Sequence, residues 1–189
     1  MRKVKLQMQM TINGYVGGPN GENDWMTWNP DTEFVAFLNS LLDTSDTLLL
    51  GRKLATGNFI NYWENTANES LEHPFAKKIV GMPKVIFTKT LDKSTWNNTT
   101  LAKGNLAEEI ASLKMQSGKD IIVVGGAGFV SSLIKEGLID EYHFIINPTA
   151  IGNGMTIFNS LDRIQKFSPI QSKLYSGGKT VLSYKPKKD

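Results

Sequence analysis

The sequence predicts an α/β fold in which a mostly parallel central sheet is closed by an antiparallel C-terminal hairpin. Short, largely apolar runs at 47–50, 84–88 and 120–124 alternate with segments of helical periodicity. Such runs are typical of parallel strands that are covered on both faces. The last part of the chain alternates on both sides of Ser176-Gly177-Gly178, which indicates the closing hairpin.

The first element is an alternating segment at the N-terminus. Its apolar members are separated by single polar residues and are Val4, Leu6, Met8, Met10 and Ile12. A period of two predicts a strand with one buried face. The stretch 13–21 that follows is rich in glycine and predicts a mobile loop rather than a second strand.

A first helix is predicted after this loop. Asn29-Pro30-Asp31 has the character of a helix start, with Asn29 as the cap, proline in the first turn and an acidic group near the positive end of the dipole. Apolar residues then recur at the spacing of one helical face, at Phe34, Phe37, Leu38, Leu41 and Leu42. This face is expected to pack on the sheet.

The remaining elements follow in alternation. We predict helices at 106–117 and 129–136, a strand at 142–147, and hairpin strands at 171–175 and 180–184. In sheets of this kind, ligands bind at the carboxyl ends of the strands. The chain contains no internal repeat or linker, so residues 1–189 are predicted to form a single domain.

The composition restricts the chemistry. There is no cysteine, which excludes disulfides, thiolate metal ligands and a cysteine nucleophile, so redox chemistry has to come from a cofactor. A formal net charge of +3 is too small for a large nucleic-acid footprint but suits a phosphorylated ligand. The N-terminus lacks the apolar stretch of a signal peptide or membrane span, so we expect a cytoplasmic protein without membrane contacts.

A glycine cluster follows one of the predicted buried strands. Gly125-Gly126-Ala127-Gly128 lets the backbone approach a diphosphate closely, while the N–H groups that open the next helix point at its negative charge. The alternative is a tight turn without a ligand. The cluster alone leaves both interpretations open.

Cationic and hydroxyl groups follow the two other strands. Arg52 and Lys53 stand at one strand end, and Thr88-Lys89-Thr90 stands at another. The 2′-phosphate of NADP needs such donors, because a dianion without partners is costly to desolvate. Taken singly, each cation is also compatible with solvated surface. Their shared position at strand ends favours a binding site.

Carboxylates near the loop and first helix are candidates for holding a substrate ring. Asp24, Asp31 and Glu33 can hydrogen-bond a heterocyclic N–H and assist protonation if the environment shifts their pKa. For Asp31 the alternative is an electrostatic role at the helix start. Trp25 and Trp28 can either wall a flat pocket or pack in the core.

The sequence does not support a metal site, a serine triad or a nucleoside triphosphatase site. His73 and His143 are the only histidines, and they lack the spacing of metal ligands or of a serine triad. A G-x-x-x-x-G-K-[ST] loop is absent. Gly126-x-Gly128-x-x-Ser131 approaches the dinucleotide fingerprint but fails at its last glycine, which disfavours a standard Rossmann domain.

Several motifs occur in a characteristic order along the chain. They are 49–53, 85–90, 123–128, 137–141, Asn147-Pro148, Gly152-Asn153-Gly154 and Phe158. Together they resemble the dihydrofolate reductase superfamily, and in particular the C-terminal reductase domain of the riboflavin enzyme RibD. The resemblance covers almost the whole chain. We find no attached deaminase domain in this sequence.

The resemblance implies a three-layer α/β/α fold of the dihydrofolate reductase type, with NADPH as the cofactor. It implies cofactor contacts at the three strand ends, at Gly51, Arg52, Lys53, Thr88, Lys89, Thr90, Gly125, Gly126, Ala127, Gly128 and Phe129. It also implies hydride transfer beside Met10 and Thr11. We take Met10, Thr11, Asn13 and Trp25 as the candidate substrate contacts. Asp31 approximately matches the acidic helix position of these reductases and is therefore the catalytic candidate.

Two positions depart from the family. Leu54 stands where relatives often have threonine, whose hydroxyl can bind phosphate, and Asn13 stands where relatives commonly have aspartate. We expect a reductase of a small heterocycle, first an aminouracil carrying phosphoribose and second a pterin; the alternative is an NADP(H)-binding module without turnover. A homodimer is also expected, from the resemblance and from apolar Val181 and Leu182 at a predicted sheet edge.

Overall fold

A computed structural model describes residues 1–27, 29–69 and 74–187. The strands are β1 (Val4–Thr11), β2 (Ser45–Gly51), β3 (Lys84–Phe87), β4 (Thr99–Ala102), β5 (Asp120–Val123), β6 (Glu141–Asn147), β7 (Phe167–Leu174) and β8 (Thr180–Pro186). The helices are α1 (Thr32–Asp43), α2 (Arg52–Leu54), α3 (Ile60–Glu69), α4 (Pro74–Gly81), α5 (Leu106–Met115) and α6 (Ala127–Lys135), with a π-helical segment, Ala55–Phe59, between α2 and α3.

The strands form one sheet in the order β4-β3-β2-β5-β1-β6-β8-β7. The pairings from β4 to β6 are parallel, whereas β8 is antiparallel to both β6 and β7. The predicted mostly parallel sheet with a closing hairpin is confirmed. As a consequence, the carboxyl ends of the parallel strands lie at one edge of the sheet, and the start of β8 lies at the same edge.

Helices cover both faces of the sheet, as the prediction of three layers requires. Leu48 and Leu50 belong to a cluster with side chains of α1, α3 and α4, whereas Leu49 belongs to a cluster with side chains of α5 and α6. All three leucines are fully buried, and each contributes roughly 1.5–3 kcal/mol of transfer free energy. A strand that is apolar at every position therefore forms the middle of the sheet.

β1 departs from the prediction of one buried face. Lys5 and Gln7 are each only 8% exposed, because β1 lies between β5 and β6 and its polar face is covered by α1. Lys5 Nζ compensates for its burial with an ion pair to Asp120 at 2.7 Å and a hydrogen bond to Thr44 Oγ1 at 3.1 Å. Alternation with a period of two therefore indicates a strand, but it does not show that the polar face of the strand is exposed to solvent.

The first helix begins later than predicted. Its N-cap is Asp31, whose Oδ1 accepts a hydrogen bond from Phe34 N at 2.7 Å, and not Asn29. Pro30 therefore precedes the helix instead of opening it. The predicted apolar face is confirmed, with Phe34 and Leu38 buried against the sheet, as are Leu41 and Leu42.

Neither β4 nor α4 was predicted. β4 is a short edge strand with polar residues, and α3 and α4 lie between β2 and β3. An edge strand packs on one neighbour only, which explains its weak apolar signal. In the part of the chain that the structure describes, no helix has the length and apolar character of a membrane span.

The predicted edge position of Val181 and Leu182 is wrong. β8 lies between β6 and β7, and Val181 is fully buried. The outer strand is β7, where Ile170 is 48% and Leu174 is 71% exposed. The chain order of a hairpin does not reveal which of its strands pairs with the rest of the sheet.

The glycine-rich loop after β1 is held by a second loop. Val16 N donates to Met155 O and Met155 N donates to Gly17 O, both at 2.8 Å. A Cβ atom on Gly154 would lie 2.3 Å from Gly17 O. The loop is therefore hydrogen-bonded in place, and the close approach accounts for the glycine in the Gly152-Asn153-Gly154 motif.

Candidate cofactor and substrate site

The three strand ends that the sequence singled out lie next to one another. β3, β2 and β5 are neighbours in the sheet, so the turns that follow Phe87, Gly51 and Val123 share one edge. A Cβ atom built on Gly126 would lie 4.0 Å from Gly51 N. The predicted convergence of these segments is thus a property of the fold.

Glycine is required at the point where β2 and α6 meet. A Cβ atom on Gly51 would lie 2.6 Å from Phe129 Cβ, which is closer than two carbon atoms approach without a shift. Gly126 has φ of 85°, a conformation that side chains with Cβ rarely adopt. The backbone is consequently bare where β2 and β5 end.

The start of α6 provides free backbone donors. Gly126 is its N-cap and offers no side-chain hydrogen bond. The first helical bond runs from Val130 N to Gly126 O, and the N–H groups of Ala127, Gly128 and Phe129 have no acceptor among the described residues. A nine-residue helix with open N–H groups at its positive end fits an anionic diphosphate.

Apolar side chains line the same place. Leu54 Cδ2 lies 3.4 Å from a Cβ position on Gly125, and the rings of Phe87 and Phe129 stack with centroids 5.0 Å apart. Leu54 and Phe129 are both only partly buried. They form an apolar floor between the glycine turns, and Leu54 supplies no hydroxyl for a phosphate.

The cationic residues differ in their engagement. In the described chain, Arg52 is half-buried and Lys53 is exposed, and neither forms an ion pair. Lys89 Nζ donates to Lys103 O and Gly104 O at 2.7 and 2.8 Å. Lys89 therefore joins the ends of β3 and β4, while Arg52 and Lys53 remain available to a ligand.

Thr88 and Thr90 form the turn after β3. Thr88 Oγ1 accepts hydrogen bonds from Thr90 N at 3.1 Å and from Leu91 N at 3.0 Å. Thr88 is buried and Thr90 is exposed. The Thr88 hydroxyl thus stabilises its own turn, and Thr90 is the threonine of this pair that faces solvent.

The residues predicted on the substrate side mostly organise loops. Met10 packs in the core on the α5 and α6 side of the sheet. Thr11 Oγ1 donates to Asn13 Oδ1 at 2.8 Å, Asn13 Nδ2 donates to Ile151 O at 2.8 Å, and Trp25 Nε1 donates to Glu22 O at 3.1 Å. The structure brings these residues to the carboxyl edge of the sheet, where the side chains of Thr11, Asn13 and Trp25 are engaged in hydrogen bonds of the loops.

Asp31 is engaged by two elements. Besides capping α1, its carboxylate accepts hydrogen bonds from Ser176 Oγ at 2.8 Å and from Gly177 N at 3.0 Å. The hydrogen bonds from Phe34 N and then Gly177 N hold the pKa of Asp31 below its ordinary value. The geometry gives Asp31 a structural role and keeps it ionised, and its catalytic role stays a prediction.

Other sequence candidates lie apart from this edge or outside the described residues. Glu33 forms an ion pair with Lys173 at 2.8 Å, and His143 is buried beneath α1, where its Nδ1 contacts Ser183 Oγ at 2.8 Å. Trp28 and His73 lie outside the described residues. No group of three metal-ligating side chains occurs in 1–27, 29–69 and 74–187.

A polar cluster at the ends of β1, β6 and β8, in which two of the three side chains are buried, was missed by sequence reasoning. It consists of Gln9, Asn147 and Lys179, in which Asn147 Nδ2 donates to Gln9 Oε1 at 2.8 Å and Lys179 Nζ donates to Asn147 Oδ1. Alternation had assigned Gln9 to the solvent face. The sequence signal that could have revealed this cluster is Lys179, a lysine that directly follows Gly177-Gly178 at the start of an apolar strand.

Comparison with known proteins places this geometry in a family. The model of the RibD C-terminal domain matches residues 2–180. The chain belongs to the RibD C-terminal domain family. The uncharacterized protein YyaP of Bacillus subtilis is 30% identical over 183 residues, which cover 97% of this chain and 94% of YyaP.

Solved structures of RibD-like proteins share the fold. A protein from Shewanella sp. PV-4 superposes with a TM-score of 0.71 at 24% identity, and the match covers all of both chains. The diaminohydroxyphosphoribosylaminopyrimidine deaminase/5-amino-6-(5-phosphoribosylamino)uracil reductase of Thermotoga maritima gives a TM-score of 0.70 at 14% identity, covering 98% of this chain and 57% of that protein. The predicted dihydrofolate-reductase-like architecture and the resemblance to RibD are confirmed.

Proposed function

We propose that this member of the RibD C-terminal domain family is an NADPH-dependent reductase of a small nitrogen heterocycle. One observation carries the proposal: the glycine turns after β2 and β5 meet at one sheet edge, where the open N–H groups of α6 face outward. Bare backbone with unsatisfied donors at a helix start is the arrangement that accepts a diphosphate.

The residues at this edge suit the parts of the cofactor. The backbone of Ala127 to Phe129 binds the diphosphate, and Arg52 and Lys53 supply charge for the 2′-phosphate. Leu54 and Phe129 provide apolar contact and exclude water. When bound, NADPH supplies the hydride, so the protein's task is to orient the substrate ring and to keep solvent away.

The family supports the choice of substrate class. The Thermotoga maritima protein of this fold is named a reductase of 5-amino-6-(5-phosphoribosylamino)uracil, and we propose an aminouracil of this type as the first substrate to test. A pterin is the second, since both rings are flat and carry carbonyl and N–H groups. β1 lies beside β5 in the sheet, so its end adjoins the proposed cofactor site.

Leu54 favours one alternative. Its side chain packs over Gly125 where a phosphate-binding hydroxyl is common in relatives, which is consistent with an NADP(H)-binding module without turnover. We also propose a cytoplasmic homodimer. The exposed Ile170 and Leu174 on the outer strand β7 replace the buried hairpin residues as its candidate contact, and light scattering that shows a monomer at micromolar concentration would contradict it.

Titration with NADPH and NADH, followed by tryptophan fluorescence, tests the cofactor assignment. We expect NADPH to bind at least about tenfold more tightly, because charge-assisted contacts to the 2′-phosphate are lost in NADH. Arg52→Met and Lys53→Met test the two proposed donors, and exposed Lys93→Met is the control. Equal affinities for NADH and NADPH, or no binding of either, contradict the proposal.

Turnover is measured separately as NADPH oxidation with 5-amino-6-(5-phosphoribosylamino)uracil and with a pterin panel. Oxidation that depends on one of these rings supports the reductase and identifies its substrate class. Tight NADPH binding with no oxidation in any mixture favours the binding module instead.

A further inference from the structure

Lys179 is a buried cation without an anionic partner. Its side chain is at the start of β8, and the residue is 2% exposed. Its ammonium donates to Asn147 Oδ1 and lies 5.9 Å from the centroid of the Phe34 ring, and no carboxylate of the described residues is within ion-pair distance. Burial lowers the pKa of Lys179.

The ammonium determines which way the Asn147 amide points. A lysine ammonium has only donors, so the amide atom that faces Lys179 must be the oxygen. The nitrogen of the fully buried Asn147 then faces three acceptors, Gln9 Oε1 at 2.8 Å and the carbonyl oxygens of Met10 and Ile145, each at 3.3 Å. Reversing this amide would set its nitrogen against the ammonium and its oxygen against three acceptors.

The same argument extends to Gln9. Because Asn147 Nδ2 can only donate, Gln9 must turn its oxygen toward Asn147, which leaves Gln9 Nε2 on the other side. Gln9 is the one partly exposed residue of β1, and its Nε2 has no hydrogen-bond partner within 1–27, 29–69 and 74–187. Lys179 therefore fixes the orientation of the Asn147 amide, and Asn147 fixes that of Gln9. As a result, the amino group of Gln9 is the accessible end of this hydrogen-bond chain.

This amino group lies at the edge where a substrate ring is expected. Gln9 is opposite Ile145 in the register of β1 with β6, and Ile145 packs with Phe34 and Leu38 of α1. β1 is next to β5, whose end carries the glycine turn. Gln9 thus stands between the start of α1 and the proposed cofactor site.

We propose that Gln9 Nε2 is the donor that recognises a carbonyl oxygen of the heterocyclic substrate, and that Lys179, acting through Asn147, is the positioning residue that sets this polarity. The inference rests on the proposed function, which it deepens by naming the group that is recognised. The site selects rings with a carbonyl, as in a uracil, against isosteric rings with an amino group at the same place.

A matched pair of rings tests the inference by binding alone. 5,6-Diaminouracil and 2,4,5,6-tetraaminopyrimidine have the same skeleton, but the first carries carbonyl groups where the second carries amino groups. Binding of each is measured by calorimetry, with and without NADPH, at a pH where both are uncharged. We expect the native protein to prefer the uracil by about tenfold or more, since the amino ring leaves donors facing each other.

Substitutions of Gln9 give the sharpest outcome. Gln9→Glu keeps an acceptor toward Asn147 but presents a second oxygen to the ligand, so we expect the preference to reverse toward the tetraaminopyrimidine. Gln9→Met removes the donor, and the preference should fall to within about twofold. An unchanged preference in Gln9→Glu overturns the inference, as does the absence of binding of either ring to the native protein.

Lys179→Met tests the positioning role, with Lys84→Met as its control. Lys84 is also 2% exposed and donates to the carbonyls of Val80 and Met82 at 2.7 and 2.9 Å, but it lies at the start of β3, away from the site. Lys179→Met should reduce the uracil preference because only the carbonyls of Met10 and Ile145 then hold the Asn147 amide in place, while Lys84→Met should leave it unchanged. Equal preferences in the two variants contradict the positioning role.

Proton exchange of side-chain amides in the native protein gives a measurement that requires neither a ligand nor a variant that folds. We expect the Asn147 amino protons to exchange slowly, because they are hydrogen-bonded, and the Gln9 amino protons to exchange quickly. The reverse order overturns the inference. If NADPH fails to bind while the ring preference persists, the proposed function falls and the recognition of a carbonyl by Gln9 stands.

Discussion

Leu54 packs against Gly125, with its Cδ2 atom 3.4 Å from the position of a Cβ on that glycine. The contact joins the helical turn after β2 to the loop after β5. It makes two segments that are far apart in the chain into one surface. The cofactor proposal depends on this surface, so its packing is the first thing to test.

Gly51→Ala should destabilise the protein. The new methyl group would lie 2.6 Å from Phe129 Cβ, and such overpacking lowers the free energy of unfolding by about 1–3 kcal/mol. Gly128→Ala is the control, because no atom lies within 4 Å of its Cβ position. Urea denaturation of both variants measures the difference, and equal stabilities would show that the two segments do not touch.

Leu54→Thr should exchange packing for a phosphate contact. The substitution removes apolar contact with Gly125 and adds a hydroxyl beside the proposed diphosphate site. We expect a lower melting temperature together with tighter binding of NADPH, because the hydroxyl donates to an anionic oxygen. Calorimetric titration and thermal unfolding check the two effects, and Leu54→Val separates loss of volume from gain of the hydroxyl.

Asp31→Asn distinguishes a structural from a catalytic carboxylate. Asparagine retains an acceptor for Phe34 N, so the helix cap survives, whereas Asp31→Ala loses it. We expect Asp31→Asn to lower the melting temperature moderately, because its amino group would face the N–H of Gly177, and to retain turnover. A loss of kcat in a stable Asp31→Asn variant would instead support the catalytic prediction.

The lowered pKa of Asp31 has a consequence for stability against pH. The folded state favours the ionised carboxylate, so its stabilising contribution is present above the ordinary pKa of an aspartate and is lost as the pH falls through the lower folded pKa. Asp31→Asn should therefore show a smaller loss of stability in acid than the native protein. Parallel acid titrations followed by circular dichroism measure this difference.

His143 should make the fold sensitive to mild acid. Burial lowers the pKa of His143 to about 4, so the folded protein holds the neutral ring while the unfolded chain takes up a proton below about pH 6.5. Stability is then highest above the unfolded pKa and falls by on the order of 3 kcal/mol as the pH is lowered from 6.5 to 4.

His143→Gln is the matching variant for this prediction. Glutamine retains a hydrogen bond to Ser183 without titrating, so the difference in unfolding free energy between the variant and the native protein should change across this pH range. Urea denaturation at several pH values provides the measurement. A constant difference from pH 7 to pH 4 would show that His143 does not titrate on unfolding.

The type and order of most elements could be predicted from the amino-acid pattern alone. Three features could be predicted because each depends on local chemistry, such as side-chain volume, helical spacing or a positive φ. They are the buried strands, the apolar face of α1 and the glycine turns. The motifs also indicated the family that the match over residues 2–180 confirms. Even the shared edge of Gly51 and Gly125 follows from the rule that parallel strands end together.

The partners of the polar groups, by contrast, depend on contacts that form only in the folded chain. Asp31 is tied to Gly177, Lys89 to Gly104 and Asn147 to Lys179, and each pair is distant in the chain. Burial of the β1 polar face and the inner position of β8 were likewise beyond local patterns. These features depend on long-range contacts, and hydrogen-bond polarity at Gln9 exists only once three strands have come together.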